Sequence, residues 1–345
     1  MNQTTKQTDK TADKTAVYGY INSESYQGES KNGKKHGRGI YRLANGSVYE
    51  GEFIDDKMDG RGKFEIDGTV FEGEWKAGRM NGQGIERVGT TIVYEGEFKD
   101  DKRHGFGTYR NKNGSTYKGQ FKDGKKHGQG VHEIKDGDVC EWYEGEFKDD
   151  QRHGLGTYRW FDGAVYKGQF VDGKRHGTGV YHRIDGSIFE GEYKSNKING
   201  RGVYRYANGS SYDGEFKADM KHGLGIYRWS DGNVYEGTFY ENNINGIGVH
   251  SWVADGSVYD GEYKDGKLHG KGTLRDVDRD YQGDYIDDKR HGYGVCRYSN
   301  GSVYEGQWKD DAKHGRGVQR RADGTIYHNG YWDNGERVHS NCSIM

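Results

Sequence analysis

The sequence predicts an all-β fold, an elongated single-layer antiparallel β-meander of about thirteen hairpins, on the strength of composition, period and parity. The 345 residues include 59 glycines and no proline, a mixture that disfavours helices and suits extended strands with tight turns. Val, Ile, Leu and Phe make up only about 15% of the chain, below the ~20% at which disorder becomes the default reading. A net charge of −2 and 28 Tyr, 12 Phe and 7 Trp oppose disorder, because the chain does not repel itself and its rings supply large apolar area. An aromatic-x-Gly step starts at Tyr26, Tyr49, Phe71, Tyr94, Tyr117, Tyr143, Tyr166, Phe189, Tyr212, Tyr235, Tyr259, Tyr281 and Tyr304, with a degenerate copy at Tyr327. The spacing is about 23 residues, the mark of a repeat array.

The elements follow in chain order. Residues 1–17 form a polar tail with no apolar stretch and are expected to be disordered. Residues 18–332 are the array. Within a unit such as YEGEFKDDKRHGFGTYRNKNG, Tyr94, Gly96 and Phe98 fall on one face of a first strand and Glu95, Glu97 and Lys99 on the other. In the second strand Gly105, Gly107 and Tyr109 share a parity, so one face of the hairpin carries rings and glycines. A ring can lie flat over a neighbouring glycine that has no side chain, which accounts for Gly96, Gly105 and Gly107; Gly105 also suits a positive φ where the loop closes.

Gly114 closes the unit differently. A two-residue turn at Asn113-Gly114 would set Tyr109 opposite Lys118, whereas a three-residue loop with a left-handed Gly114 pairs Asn111 with Ser115 and Tyr109 with Tyr117. The same loop is expected at Asn45-Gly46, Asp67-Gly68, Asp162-Gly163, Asp185-Gly186, Asn208-Gly209, Asp231-Gly232, Asp255-Gly256, Asn300-Gly301 and Asp323-Gly324. Irregularity is expected at Val88-Gly89, at an insertion in residues 131–142, and at Asp276 to Asp280. Joined end to end, the hairpins predict a ribbon of roughly 26 strands and about 125 Å.

Residues 26 to about 332 resemble the MORN (membrane occupation and recognition nexus) repeat, whose core is Y-x-G-x-F/W, a short loop, then H/N-G-x-G. The resemblance implies a twisted antiparallel sheet and a scaffold that works at or beneath membranes, in some relatives as an end-to-end dimer. No stretch is left over for the kinase or methyltransferase domains that accompany the repeats in some relatives.

Several recurring residues carry potential chemistry. His36, His104, His127, His153, His176, His222, His269, His291 and His314 recur in one slot, but Asp59, Asn81, Asn199 and Asn245 fill it too. Successive copies would lie about 9.6 Å apart, too far to share a metal. The slot is read as structural, a polar group bonding to loop backbone. Gly-x-Gly lacks the helix and Gly-Lys-Ser/Thr of a phosphate loop, and the paired acids repeat as a solvated face, so neither a cofactor nor an enzyme is expected. No metal or nucleic-acid partner is expected.

Two surfaces remain. Lys102, Arg103, Lys125, Lys126, Lys174, Arg175, Lys289 and Arg290 are expected to line one long edge suited to anionic phospholipid. Tyr94, Phe98, Tyr109, Tyr117, Phe121, Tyr143, Phe147, Tyr158, Tyr166 and Phe170 are expected to form an open aromatic face for a protein partner or a second copy of the chain.

In residues 333–345 the final Cys342-Ser343-Ile344-Met345 reads as a C-a-a-X box with Cys342 as a farnesyl acceptor. Cys140, Cys296 and Cys342 are too few and too scattered for a disulfide framework. No apolar run reaches the ~18 residues of a membrane span, and the start lacks the apolar region of a secretory signal. The expected function is a non-catalytic scaffold, cytoplasmic and peripheral on a membrane. The alternatives are a soluble self-associating cytoskeletal protein and a regulatory subunit of an enzyme.

Overall fold

The computed structural model describes residues 24–137 and 139–338. Among them are 28 strands and no helix, arranged as one open antiparallel sheet that runs from Ser25–Lys31 to Glu336–Arg337. The described chain divides into two compact units: residues up to 161 with 170–173, and residues 162–169 with those from 174 onward. In each unit strands adjacent in sequence pair with one another, so the meander is set by local turns.

In the first unit the hairpin of strands Thr91–Lys99 and Lys102–Arg110 shows the rule. Asp100 and Asp101 have φ of 48° and 65°, positive at both central positions as a two-residue type I′ turn requires. Tyr94 lies opposite Tyr109 and Gly96 opposite Gly107; the register then shifts, and Glu97 faces His104 and Phe98 faces Arg103. Gly105 sits in this bulge with φ +53°, where a residue with a Cβ would be strained. Beyond the second strand Asn111 N–H donates to Ser115 O at 2.8 Å, Gly114 has φ +86°, and Tyr109 meets Tyr117. This is the three-residue loop the parity argument requires. Asn113 Oδ1 accepts from Ser115 N–H at 3.0 Å, which explains why Asn or Asp precedes the glycine.

A row of paired glycines crosses the unit, as at Gly84, Gly96, Gly107, Gly119 and Gly130. A Cβ at Gly107 would lie 2.5 Å from both Cε2 and Cζ of Tyr94, so the ring occupies the space the glycine leaves. Tyr94 Oη donates to Glu97 O at 2.9 Å. Edge-to-face contacts link each tyrosine to the phenylalanine of its own and the next repeat: Tyr94 to Phe98 at 5.0 Å and to Phe121 at 5.1 Å, and Tyr117 to Phe121 at 5.1 Å and to Phe147 at 5.0 Å. Such pairs contribute about 0.5–1.5 kcal/mol each beyond area burial. The core of this single sheet is therefore a ladder of rings lying on its own backbone.

The second unit repeats the device. Glycines pair from Gly179–Gly191 through to Gly317–Gly330, and rings alternate through Phe189, Phe216, Tyr212, Phe239, Tyr235 and Tyr263. At its end His328, rather than Tyr327, fills the ring slot. His328 stacks edge-on against Trp332 at 5.0 Å and covers Gly330, while Tyr327 is exposed. The degenerate copy is thus displaced by one residue, because the slot must lie two residues before a glycine.

Three loops also depart from expectation, and the one at Asp255-Gly256 holds four residues, with Trp252 N–H donating to Ser257 O at 2.9 Å and His250 paired with Tyr259. Asp67 and Gly68, with φ of 45° and 75°, form a two-residue turn that pairs Ile66 with Thr69. Seven residues separate Phe64 from Phe71 where eight separate Tyr109 from Tyr117, so the shorter turn keeps the rings on one face. The insertion after residue 131 extends one hairpin, Lys125–Asp136 with Val139–Lys148, in unbroken register from Gly128–Phe147 to Asp136–Val139. The Val88-Gly89 turn follows a register shift at Glu86/Arg87, and Asp276 caps an irregular turn by accepting from the N–H groups of Asp278 and Arg279 at 2.8 Å.

Candidate interaction surfaces

The ring face is the first candidate, and it is closed. Tyr94, Tyr117, Tyr143 and Tyr166 are 0% exposed, and Phe98, Phe121, Phe147, Phe170 and Tyr158 are buried; of the ten rings expected on an open face only Tyr109 is half-buried. The expectation of an open partner face is corrected, because the rings of successive repeats cover one another and a second group covers them from above.

That second group is half of the expected basic edge. Arg103 lies opposite Phe98, and its guanidinium sits 4.5 Å from the centroid of Tyr109 and 5.2 Å from that of Tyr94. Arg103 also meets Glu86 at 2.8 Å. Lys126 lies over Tyr117 at 5.2 Å, Arg175 over Tyr181 at 5.1 Å, and Arg290 over Trp308 at 4.3 Å. These four are a lid on the rings rather than an edge, since each shares the parity of the glycines that follow it. Their partners Lys102, Lys125, Lys174 and Lys289 are exposed at the type I′ turns, with Lys289 3.8 Å from Asp310.

The turns join successive repeats. Met80 N–H donates to Asp101 Oδ1 at 2.8 Å while Asp101 N–H donates to Met80 O at 3.1 Å, and Asp219 holds Ile198 in the same two-point way. The Nδ1 atoms of His104, His153 and His222 have no hydrogen-bond partner, so these histidines do not make the bond to loop backbone expected of the slot. The slot faces the following turn: His314 Nδ1 lies 3.3 Å from Asp333, and Asp59 makes the expected bond to loop backbone, accepting from Ala77 N–H beside Gly78 at 3.0 Å.

The acids are not all solvated either. Glu97 reaches across the bulge and accepts from Phe106 N–H at 3.1 Å; Gln120 does the same for Gln129 at 2.9 Å, and Glu262 for Lys271 at 3.1 Å. On the opposite face of the first unit a groove of about 880 Å³ over Gly39 to Gly84 carries both signs of charge, from Arg38, Arg61 and Lys63 to Glu50, Glu72 and Glu95.

Two constellations went unread in the sequence. In the first unit Lys126 Nζ lies 3.1 Å from His132 Nε2, beside a cavity of about 310 Å³ that Arg152 lines. Burial, then the Lys126 and Arg152 charges, push His132 down to about 4. In the second unit six half-exposed rings stand in file: Tyr204, Tyr206, Tyr227, Trp229, His250 and Trp252, with successive centroids 4.4, 6.0, 4.7, 4.9 and 4.1 Å apart. Cys342 lies outside the described residues. Among the described residues no group of His, Cys, Asp or Glu is placed to hold a metal ion.

A family profile described as MORN repeat matches thirteen consecutive segments, beginning with residues 26–48 and ending with 304–326. No curated protein matches. Among solved structures, the chain is similar to the SAS-4 TCP domain of Drosophila melanogaster, solved with a proline-rich motif of Ana2, at 16% identity over 52% of this chain and 90% of that one, with a TM-score of 0.29. It is also similar to a streptogramin B lyase, at 13% identity over 90% and 89% of the two chains with a TM-score of 0.13, and to virginiamycin B lyase from Staphylococcus aureus, at 9% identity over 88% and 87% with a TM-score of 0.13. Superpositions this poor carry no argument.

Proposed function

Since the chain belongs to the MORN-repeat family, we propose that it is a non-catalytic scaffold that assembles proteins beside a cytoplasmic membrane, anchored there by a prenyl group on Cys342. MORN repeats are in general a non-enzymatic family of protein- and membrane-binding scaffold motifs. The observation that supports the reading most is that neighbouring repeats satisfy one another's ring face, so residues outside the ring and glycine positions are free to differ and to meet partners. In a protein that ends at Met345, Cys342 is the thiol the C-a-a-X pattern selects, with Ile344 as its aliphatic third residue. A single farnesyl chain binds membranes reversibly, so stable residence requires a second contact, which the exposed Lys102, Lys125, Lys174 and Lys289 supply toward anionic lipid.

The test is expression of the chain and its Cys342→Ser form in eukaryotic cells, with membrane fractions and intact mass compared. Loss of membrane recovery and of a farnesyl mass increment in the variant is the expected result. Equal recovery with no mass gain on Cys342 sinks the anchor and leaves a soluble scaffold.

A further inference from the structure

In several repeats a cation supplied by the chain covers the ring at the second-strand position: Lys35 lies 4.0 Å from the Tyr41 centroid, Arg152 4.4 Å from Tyr158, and Lys221 4.4 Å from Tyr227. The repeat at residues 235–257 lacks that cation, as do those with Met58, Met80, Ile198 and Leu268 at the lid position. Its lid position is Ile244, and among the described residues no cation is found over Trp229, His250 or Trp252. His250 is held between the two indoles, 4.9 Å from Trp229 at an interplanar angle of 10° and 4.1 Å from Trp252 at 23°. Its buried Nε2 has no hydrogen-bond partner.

The charge carried by this repeat itself has one sign, although Lys221 of the preceding strand lies 4.4 Å from the centroid of Tyr227, which packs 4.7 Å from Trp229. Residues 229–263 contain no Lys or Arg, in a chain that has 52, and they hold Asp231, Glu236, Glu241, Asp255, Asp260 and Glu262. Asp231 and Asp255 stand in the loops that begin at Trp229 and Trp252. The Asp231 carboxylate is close enough to His250 to oppose the lowering of its pKa by burial. Half-exposed indoles beside uncompensated carboxylates form the complement of a cation, and the planar guanidinium fits a parallel ring stack better than an ammonium does.

We propose that the Trp229–His250–Trp252 stack, with Asp231 and Asp255 on its two loops, is the docking site for an extended arginine-bearing segment of a partner protein. The guanidinium stacks on an indole face, as the chain's own Arg103 and Arg152 do on their tyrosines, and the loop carboxylates neutralise it. This inference rests on the scaffold reading and names the kind of partner one repeat takes.

The sheet itself supplies substitutions that preserve its fold. Asn208 fills the loop position of Asp231 and accepts the same bond from Ser210 N–H, at 3.0 Å; Arg183 and Arg321 fill the position of Trp252. Purified full-length chain is titrated with an acetylated dodecapeptide of alternating Gly and Arg, followed by tryptophan fluorescence and calorimetry. Saturable one-to-one binding is expected, weakening with salt. Asp231→Asn and Trp252→Arg should each weaken it about tenfold, the Lys form of the peptide should bind several-fold less tightly, and Asp185→Asn in an equivalent loop should change nothing. Unchanged binding by both variants overturns the proposal. So does preferential binding at these rings of an arginine-free proline-rich peptide or of anionic vesicles. Tighter peptide binding after removal of residues 1–23 overturns it as well, by making the chain's own lysine-bearing tail the occupant. These readouts use no membrane fraction, so failure here is separable from failure of the Cys342 anchor.

Discussion

Gly225→Ala tests the physical basis of the array most directly. Gly225 carries no positive φ, so alanine suits its backbone, and the effect must come from space. A Cβ there would lie 2.5 Å from Cε2 and 2.6 Å from Cζ of Tyr212. The ring cannot yield, since Phe216 and Phe239 each hold it edge-on at 5.0 Å and its Oη donates to Glu215 O at 2.9 Å. Overpacking of this kind costs about 1–3 kcal/mol, and displacing the hydroxyl adds about 1. Restricting the unfolded chain returns about 0.4–1 kcal/mol, which leaves a net loss of about 2–3. In a repeat array the loss stays local, so hydrogen exchange in Ser211–Lys217 and Met220–Arg228 should accelerate roughly 30- to 150-fold while distant repeats keep their rates. In a Tyr212→Ala background, where no ring fills the space, the penalty should vanish or reverse. An undiminished penalty in that background, or none in the wild type, would refute the argument that glycine is there to seat the ring.

The other predictions probe the joints. Asp219→Gly keeps the left-handed turn (φ 72°) and the N–H bond to Ile198 O but loses the side-chain bond, at a cost of about 1 kcal/mol, and Asp219→Ala should cost about 1 kcal/mol more for its positive φ, both read by denaturant unfolding. Glu97→Gln should be neutral because Gln120 and Gln169 cap their bulges in the same way, while Glu97→Ala should lose about 1 kcal/mol in the same assay. His132, held near 4 against an ordinary 6.5, binds its proton less readily folded than unfolded. Its contribution is therefore complete above pH 6.5 and is lost as pH falls toward 4; NMR titration should place its midpoint near the lower value, and His132→Tyr, which puts the residue of Tyr109 and Tyr158 in the same slot, should flatten the acid slope of stability.

Most of the fold was legible because it is local. Ring-over-glycine packing and the three-residue loop at Gly114 follow from counting residues between rings. The two-residue turn at Asp67-Gly68 was legible by the same count, since Phe64 and Phe71 are one residue closer than the other pairs, but the shared dipeptide hid it. Arg103 lies four residues before Gly107 and so shares its face; reading it by charge and nearness to a turn sent it to the wrong place. Burial of the rings was not legible, because it depends on the distance between repeats and on a lid from across the strand pair. The Glu97 cap was hidden for a related reason, as it spans nine residues around a bulge whose geometry has no period.

The interaction surface was harder still, because in an array every copy advertises the same residues, and those are the ones the fold consumes. Strand pairing shows what is left over. Tyr235 still meets His250, Gly237 meets Gly248 and Phe239 meets Ile244, although Thr238 replaces the capping acid, Tyr240 the usual lysine, and Ile244 the lid cation. The ladder holds this repeat in register through its glycines and rings, Thr238 Oγ1 donates to Asn245 O in the bulge, and no comparable demand falls on Tyr240 or Ile244. Tyr240 and Ile244, which the fold neither requires nor excludes and which remove positive charge from around exposed indoles, are what a partner's cation would select. In a sheet that binds itself this well, recognition is found by subtracting the rule from each copy.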